Sequence, residues 1–570
     1  MTTPNGLLLV AAILLPFVGM MAGLVLGGRW APRVAGLVIV AGLGLAFAIA
    51  HAVMAAPQVY LLGGFAPPLG IALRADGLSA GMIGVVAVVI AAIALYARRD
   101  FVLPPDAREA RAPLTFWLLL LAIWGSLNLI FVSGDLFTLY VGLELLTFAG
   151  VPLVCLDGRG DTLRAALRYL LFALLGSLLY LLGAVLIYGQ YATLDIAMLS
   201  HMAKPGTITW TVMALMTVGL LAKTALFPLH IWLPPAHAGA PAAASAVLSA
   251  LVVKGSWFLV VRLWFDAFAV VATFGAAQLL GGLGAAAIVF GSIVALRQKR
   301  LKLLVAYSTI AQIGYLFLMF PLAFDVAAGA MASGNVLTAG FLQAASHATA
   351  KAGMFMAAGL IYAALGHDRI ADLGGVARAL PVSVLAFAVA GVALMGVLPG
   401  GAYVAKKLLL DAAATGGQWW WMLVLQGGAA FTAGYVVLVL RRVLVQPAAP
   451  LQLVTKVARL SEFAALGLAV ASLLLGFAAV MPVAHLPAGL ISNPLAPKEM
   501  LTTLMVIGGG FALALALAQR PLFNTRSIAA PVGMAFENLD AILRRWPAAS
   551  LSLFALAAMF FWLFQRVVST

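Results

Sequence analysis

Charge is what this sequence has least of. Only 9% of its 570 residues are charged and 64% are hydrophobic, whereas soluble domains are about half apolar and about a quarter charged. This composition excludes a soluble fold. Because about 20 apolar residues make one helical crossing and the apolar runs are too long for porin strands, we predict an all-α polytopic membrane protein.

Cysteine and the common catalytic motifs are also scarce. The one cysteine, Cys155, excludes a cysteine-ligated iron–sulfur cluster and an internal disulfide. The sequence contains no HExxH pattern, no Gly-rich phosphate loop ending in Lys and Ser/Thr, and no credible Ser or Cys triad. We therefore expect no cofactor, no metal and no catalytic or redox site in this chain. Any redox chemistry would belong to a partner, so membership of an enzyme complex stays open.

Apolar runs between charged or Pro/Gly breaks predict about sixteen crossings. The N-terminal run lacks the basic region and cleavage site of a secretory signal, which indicates a retained first span. The predicted spans are 7–26, 33–55, 77–97, 113–132, 136–156, 164–188, 208–230, 241–264, 271–296, 302–323, 335–364, 381–413, 417–440, 462–484, 500–519 and 549–568.

The net charge of +15 would suit nucleic-acid binding only on a soluble basic face, and here Lys and Arg lie mainly in short loops. With the N-terminus outside, most of them fall in inner loops, as the positive-inside rule requires. We expect both termini outside, a bacterial inner (plasma) membrane location and no nucleic-acid partner. The stretches 442–461 and 520–546 mix basic and apolar residues, so amphipathic surface helices and ordinary loops both stay open.

Ionisable residues inside the spans need an explanation, since a charge at mid-bilayer costs about 2.5–3.5 kcal/mol. Lys223 lies deep in the seventh span, and Pro228 should break that helix and admit water. Glu144 is the only central carboxylate of the fifth span, and we predict that it pairs with Lys223. The structural alternatives are a lysine that snorkels to the interface and a protonated glutamate bonded to a neighbouring helix.

Three further residues extend this set of buried polar groups. Lys254 lies in the middle of the eighth span, among small residues that permit close packing and water entry. His347 and Lys351 are four residues apart in the eleventh span and therefore share one helical face. Such a pair could pass a proton, because histidine titrates near neutrality and burial disfavours a charged lysine. Purely structural hydrogen bonding by His347 is the alternative.

The twelfth predicted span joins a helix breaker, Pro399 with two glycines, to three charges. Lys406 is our candidate for the path, while Lys407 could pair with Asp411 four residues later. A path of protons, or of protons exchanged for another cation, would thus run through Glu144, Lys223, Lys254, His347, Lys351 and Lys406.

Four residues are candidates for the mouths of this path. His230 and His237 flank a WLPP turn, and since no acidic residue lies between them a zinc site is improbable there. We predict that they line an inner mouth, and we add Asp135 and Asp411 as further mouth candidates.

Several motifs together resemble a known family. FPLHIWLPPAHAGAP at 227–241, LRQKRLKLLVAYSTIAQIGYLFL at 296–318, ASHATAKAGMFMAAG at 345–359, and Pro399 through Lys406 occur in the order and spacing of one family. They resemble the proton-translocating, antiporter-like membrane subunits of respiratory complex I, Mrp cation/proton antiporters and membrane-bound hydrogenases. Gly400 and the two residues after it depart from the more usual turn, so the transfer is weakest at Lys406.

The resemblance implies a domain organisation. It places N-terminal helices at 1–112, an ion-translocating core at 113–440 and a C-terminal helical extension at 441–570. Within the core it implies two inverted five-helix repeats, about 113–264 and 271–440, each with a broken helix.

The resemblance also implies a function. Glu144 and Lys223 would form a coupled ion pair, Lys254 and His347 a central axis, and Lys406 an exit site. The chain would translocate protons as one membrane subunit of a redox-driven complex of the NADH-quinone oxidoreductase or hydrogenase type. The alternatives are a subunit of an Mrp-type Na⁺/H⁺ antiporter and a non-conducting scaffold. Expected partners are other membrane subunits, redox subunits, protons, Na⁺ and the lipid bilayer.

Overall fold

The computed structural model describes residues 2–102, 110–332, 334–446, 451–478 and 497–519. Most of these residues are helical, as predicted, because long apolar runs can satisfy their backbone groups in a membrane only by helix formation. The helices are α1 (Leu7–Leu26), α2 (Ala31–Ala55), α3 (Gly77–Asp100), α4 (Arg111–Val132), α5 (Leu136–Val154), α6 (Gly160–Tyr191), α7 (Ile196–Met202), α8 (Thr207–Thr224), α9 (Leu233–Gly239), α10 (Ala242–Val247), α11 (Val253–Val261), α12 (Phe274–Leu296), α13 (Leu301–Phe317), α14 (Met319–Ala323), α15 (Asn335–Leu365), α16 (Val376–Ala379), α17 (Pro381–Leu394), α18 (Gly401–Thr415), α19 (Trp419–Leu444), α20 (Arg459–Ala478) and α21 (Pro497–Gln519).

Two short antiparallel hairpins accompany the helices. Strands β1 (Gln58–Leu61) and β2 (Ala72–Ala75) pair between α2 and α3, with Gln58 opposite Ala75. Strands β3 (Phe324–Asp325) and β4 (Ala330–Met331) form a smaller hairpin before α15. These hairpins connect spans and do not extend into a larger sheet in the described part of the chain.

Thirteen helical segments among the described residues are long and apolar enough to cross a membrane. The predicted count of sixteen is therefore not reproduced, for three separate reasons. The predicted span 381–413 is two shorter helices, α17 and α18, and within α21 only Leu504–Ala516 is described in full, which is too short a stretch to count as a crossing. The predicted span 549–568 lies outside the described residues.

Two of the spans are interrupted, as the prolines predict. Helix α8 ends at Thr224, before Pro228, and α17 ends at Leu394, before Pro399. The span that carries Lys254 is continuous but irregular, with π-helical turns at Leu248–Val252 and Arg262–Ala267. Broken and wide turns of this kind leave backbone groups open to side chains and water, and they recur at functional sites.

The outside of the bundle is apolar and its centre is polar. Phe47, Leu171 and Phe148 are 76%, 57% and 60% exposed, as expected of side chains that face lipid acyl chains. In contrast, Lys254 and Lys351 are 1% and 0% exposed. Helix α20, which lies in the predicted C-terminal extension, packs against α3, α15 and α17, so it is part of this bundle.

The stretch 442–461 has no amphipathic surface helix of its own. Helix α19 continues to Leu444, residues 451–458 are not helical, and α20 begins at Arg459, so the part of this stretch that the structure describes is largely a loop. The stretch 520–546 lies outside the described residues. The division into two inverted repeats stays a prediction.

Candidate functional site

The structure brings Lys223 and Glu144 together in the centre of the bundle. Lys223 Nζ on α8 lies 3.5 Å from Glu144 Oε1 on α5. The same ammonium group donates hydrogen bonds to the Thr147 hydroxyl at 2.7 Å and to the Leu143 carbonyl at 3.2 Å. With 6% of the lysine side chain and 16% of the glutamate side chain exposed, protein oxygens replace most of the water around this charge.

Two glycines bring α6 against α8 beside this pair. A Cβ on Gly219 would lie 2.3 Å from the Gly176 carbonyl oxygen, and one on Gly176 would lie 2.5 Å from the Gly219 carbonyl oxygen. The Gly176 Cβ would also lie 3.3 Å from Lys223 Cγ. The two backbones are therefore in direct contact, which holds the stem of the lysine in place.

The break after Lys223 is held by side chains. Ala225 adopts a left-handed conformation with φ 59°, an unfavourable conformation for a residue with a Cβ, and this ends α8. The Trp232 indole N–H donates to the Ala222 carbonyl at 2.9 Å, which satisfies a helix-end acceptor. Thr224 Oγ1 lies 2.8 Å from Ser256 Oγ and so connects the break to α11, the helix of Lys254.

Lys254 and His347 are in direct contact. Lys254 Nζ lies 2.5 Å from His347 Nδ1 on α15, and it donates to the Ser249 carbonyl at 2.7 Å within the π-helical turn. A charged lysine can only donate, so a neutral His347 in this pair accepts at Nδ1 and carries its proton on Nε2. That Nε2 is buried and has no hydrogen-bond partner among the described residues. The pair therefore joins two helices and leaves one proton-carrying atom available.

Lys351 shares the helical face of His347 but contacts a different helix. Its Nζ contacts the Ser308 hydroxyl and lies 3.2 Å from the Val305 carbonyl, both on α13. No hydrogen bond between described atoms joins Lys351 to His347. A proton passing between these two residues would therefore need a water molecule or a rotamer change.

Lys406 follows the second break. It is 7% exposed and lies in the second turn of α18, and its Cδ and Cε approach Gly396, which has φ 64°. The first turn of α18 is tied to the central helix, because the Ala402 N–H donates to Ser346 Oγ at 3.2 Å. Ser346 precedes His347, so the helix of Lys406 is fixed directly beside the axis.

The four mouth candidates do not share one place. The Asp135 carboxylate caps α5 by accepting from Thr138 N–H at 2.7 Å, and Asp411 is exposed on α18. His230 and His237 are both fully buried. His237 stacks on Phe355 with ring centroids 4.7 Å apart, and neither of its ring nitrogens has a hydrogen-bond partner among the described residues.

One buried lysine was not predicted as part of the site. Lys302 begins the predicted span 302–323, and in the structure it is 7% exposed and its Nζ donates to the Ala240 carbonyl at 2.6 Å. This carbonyl follows α9, the short helix of His237. Lys302, Lys351 and Lys254 all lie within electrostatic reach of His237, so this histidine has three lysines as its ionisable neighbours.

A glutamine pair, also not predicted, connects the axis to the second break. Gln343 on α15 donates to Gln312 Oε1 at 3.4 Å, and Gln312 donates to the Leu394 carbonyl at 3.3 Å and to Thr432 Oγ1 at 3.2 Å. Gln343 is one turn before His347, and Leu394 is the last residue of α17. This chain of hydrogen bonds runs from Gln343 to Leu394, at the break that precedes Lys406.

A separate ionic cluster closes the end of the bundle where α3 begins. Arg262 donates to both carboxylate oxygens of Asp76 at 2.7 and 2.6 Å and to Asp266 at 2.8 Å. Burial alone would raise the pKa of Asp76, but the charge of Arg262 and the hydrogen bonds from Arg262 and Ser79 hold that pKa below its usual value. Asp76 is therefore ionised at neutral pH and joins α3 to the span that carries Lys254.

In the part of the chain that the structure describes, no group of three or more His, Cys, Asp or Glu residues could hold a metal ion. The chemistry available at the site is proton transfer and ion pairing among lysines, histidines, one glutamate and neutral hydroxyl and amide groups.

Comparison with known proteins gives a consistent family. Residues 133–432 match the family model described as NADH:quinone oxidoreductase/Mrp antiporter, TM. The chain is 33% identical over 408 residues to NADH-quinone oxidoreductase subunit N of Desulforudis audaxviator. This alignment covers 70% of this chain and 78% of the relative. It is 29% identical over 354 residues to one subunit of a Na⁺/H⁺ antiporter of Bacillus subtilis, covering 61% of this chain and 68% of that relative.

Solved structures have the same fold. A chain of the Mrp complex from a Dietzia species superimposes with a TM-score of 0.72 at 22% identity, covering 89% of this chain and 99% of its own length. A chain of the archaeal membrane-bound sulfane sulfur reductase also gives a TM-score of 0.72, at 24% identity and with the same coverage. At this identity the likeness shows the fold alone.

Proposed function

Because the chain belongs to the NADH:quinone oxidoreductase/Mrp antiporter transmembrane family, we propose that this integral membrane protein translocates protons through its buried lysines, glutamate and histidines. The observation that carries the proposal is the set of contacts between Glu144, Lys223, Lys254 and His347 inside an apolar bundle. Such residues in a membrane mark ion pathways far more often than packing contacts.

The contacts support one order of residues along the proposed path. Glu144 and Lys223 form its first pair, and the Thr224–Ser256 hydrogen bond connects their helix break to the helix of Lys254. Lys254 would pass the proton to His347. From there the path would follow the hydrogen bonds of Gln343 and Gln312 toward the second break and Lys406. The core at 113–440 with its two repeats, and the outward location of both termini, belong to this proposal.

The charges make the path switchable. Lys223, Lys254 and Lys351 are all buried, and Glu144 is the one carboxylate that the described structure pairs with any of these three. A buried cation without a counter-charge is costly, so charging one lysine opposes charging the next. A proton that enters at one end therefore favours release of a proton farther along.

We propose that the driving force comes from partner subunits of a redox complex. One relative reported above is named as a subunit of NADH-quinone oxidoreductase, and the sequence of this chain carries no recognisable catalytic or redox motif. Neighbouring membrane subunits would alter the pairing of Glu144 with Lys223 as they move. The charge on the next lysine would then change in turn.

Exchange of protons for Na⁺ is the second candidate function, and the similarity to the Bacillus subtilis Na⁺/H⁺ antiporter favours it. The two functions differ in what drives proton movement. If a Na⁺ jump alone acidifies or alkalises vesicles that hold the complex, without an electron donor, the chain serves antiport. If only electron transfer moves protons, it serves a redox-driven complex.

The decisive test of proton translocation is Lys254→Ala in the intact complex. We expect proton translocation to fall on the order of a hundredfold, because a positioned proton-transfer group is removed. Dye quenching in inside-out vesicles measures the flux, and the ratio of co-purified subunits measures assembly. Lys204→Ala, at an exposed position outside the path, should leave both unchanged. Unchanged proton flux in an assembled Lys254→Ala complex would contradict the proposal and favour a non-conducting scaffold role for the chain.

The glutamine connection gives a second test. Gln312→Leu keeps the side-chain size but removes the hydrogen bonds to Gln343 and Leu394. We expect a several-fold slower flux with normal assembly, because one link of the chain is lost while the charged residues remain. Exposed Gln190→Leu serves as the control. A flux equal to that of the control would remove the glutamines from the path.

A further inference from the structure

A large basic cavity lies away from the proton path. It has a volume of about 930 Å³ and lies among the ends of α12, α15 and α19, beside α21. This volume is within the range of about 300–1,000 Å³ typical of small-molecule sites. The cationic side chains that line it are Lys299, Arg300, Arg369, Arg441 and Arg442.

The described residues leave most of the positive charge of this cavity unbalanced. Its one lining carboxylate, Asp368, is already paired with Arg300 at 2.9 Å. Lys299, Arg369, Arg441 and Arg442 make no ion pair with any residue that the structure describes. Four cations around one cavity repel one another, so an external anion would stabilise them.

The backbone holds these like charges close together. Arg300 and Arg369 are direct partners in an antiparallel bridge, and the Ile370 N–H donates to the Lys299 carbonyl at 2.9 Å. Like charges directly opposite each other destabilise such a pairing, and Asp368 offsets the charge of Arg300 alone, so Arg369 keeps no counter-charge among the described residues. His367 also lines the cavity, and its buried Nδ1 has no hydrogen-bond partner among the described residues.

The walls of the cavity point to a lipid as the source of the anion. Leu296, Leu438 and Ala514 line it from three membrane-spanning or apolar helices, and Tyr362 adds an aromatic face. Leu444, at the same end of α19, is 69% exposed. A soluble anion would gain nothing from these apolar surfaces, whereas a phospholipid can place its phosphate on the arginines and its acyl chains along α19 and α21.

We propose that this cavity binds the phosphate headgroup of an anionic phospholipid. Arginine guanidinium groups bind phosphate in a bidentate manner, and basic pockets between spans on the inner side suit such headgroups. The cavity adjoins α13, whose Lys302 lies beside His237, so a bound lipid would fix the loop that precedes this buried lysine. The site lies outside the proposed proton path, so this proposal can be wrong while the proposal of proton translocation is right, and the reverse.

Native mass spectrometry of the full purified chain tests this proposal. The probes are cardiolipin, phosphatidylglycerol, phosphatidylcholine and inorganic phosphate, each added to delipidated protein. We expect retention of the two anionic lipids by the wild type and roughly thirtyfold weaker binding by the double variant Arg441→Gln/Arg442→Gln, since each interfacial cation contributes about a factor of five.

The matched control is Arg98→Gln/Arg99→Gln, which removes the same charge from exposed positions at the end of α3, outside the cavity. It should bind anionic lipid like the wild type, and both variants should unfold at the wild-type temperature. Equal weakening in both double variants would overturn the proposal, as would equal retention of phosphatidylcholine. Displacement of the lipid by an equal concentration of inorganic phosphate would also overturn it, in favour of a soluble-anion site.

Discussion

Replacing Lys223 by methionine is expected to abolish proton translocation and to destabilise the chain by about 3 kcal/mol. The methionine retains the apolar stem beside Gly176 but leaves Glu144 without the cation 3.5 Å away. A largely buried carboxylate that loses the one counter-charge provided by the described residues retains the cost of burial without the attraction that offset it. The Thr147 hydroxyl loses a donor in the same step.

The double variant Glu144→Gln/Lys223→Met separates stability from function. Removing both charges leaves no uncompensated ion, so most of the lost stability should return, while translocation stays absent. Denaturant unfolding of the purified chain measures the first effect, and vesicle proton flux measures the second. Arg164→Gln is the control, because its pair with Asp161 is almost fully exposed and its loss should change neither quantity.

Two results would contradict this account. A Lys223→Met variant as stable as the double variant would mean that Glu144 is protonated and hydrogen-bonded, which is the alternative that the sequence leaves open. Undiminished flux in an assembled Lys223→Met complex would mean that the ion pair only holds α5 and α8 together.

The charged members of the candidate site could be located from the sequence because they interrupt apolar runs. Glu144, Lys223, Lys254 and His347 each stand in a span where any ionisable group needs a reason, and the structure places them in two contacting pairs. Their neutral partners give no such signal. Thr147 resembles any threonine that satisfies its own helix backbone, as it also does with Leu143.

In basic clusters at span ends, the sequence does not indicate which lysine or arginine is buried. In the run LRQKRLK, the pattern does not say which side chain points inward. Helix α13 begins at Leu301, so Lys302 lies in its first turn and faces the Ala240 carbonyl, while Lys299 and Arg300 remain exposed. Only the position of α9 in three dimensions shows that Lys302 is buried while Lys299 and Arg300 are exposed.

The predicted number of crossings is not confirmed at one apolar run that contains a proline and two glycines. The run 381–413 is long enough for one crossing, and Pro399 with the glycines predicts a break without saying how far apart the halves end. In the structure α17 ends at Leu394 and α18 begins at Gly401, so neither half spans alone. The irregular residues between them are tolerated because other helices cover them.

Helix α20 provides that cover, and its contact leads to the last prediction. Gly476 lies so close to the second break that a Cβ would be 1.5 Å from the Pro399 carbonyl oxygen. One turn earlier, Ser472 Oγ lies 2.9 Å from Ser346 Oγ, the atom that also accepts from the Ala402 N–H. Helix α20 thus contacts the break, the start of α18 and the central helix together.

Gly476→Ala is expected to destabilise the chain by about 2–3 kcal/mol and to reduce proton flux strongly. The added methyl group meets backbone rather than a flexible side chain, so α20 or the break must move. Either movement disturbs the turn that positions Lys406. Unfolding of the purified chain and vesicle flux measure the two effects.

Gly467→Ala on the same helix is the matched control, because a Cβ there would meet nothing within 4 Å. Alanine favours a helix over glycine by about 1 kcal/mol, so the control should be as stable as the wild type or more so. If Gly476→Ala behaves like Gly467→Ala, then α20 does not support the break. If flux falls while stability is unchanged, the contact acts on the position of Lys406 rather than on the fold, and α20 must be counted with the translocating core instead of with a C-terminal extension.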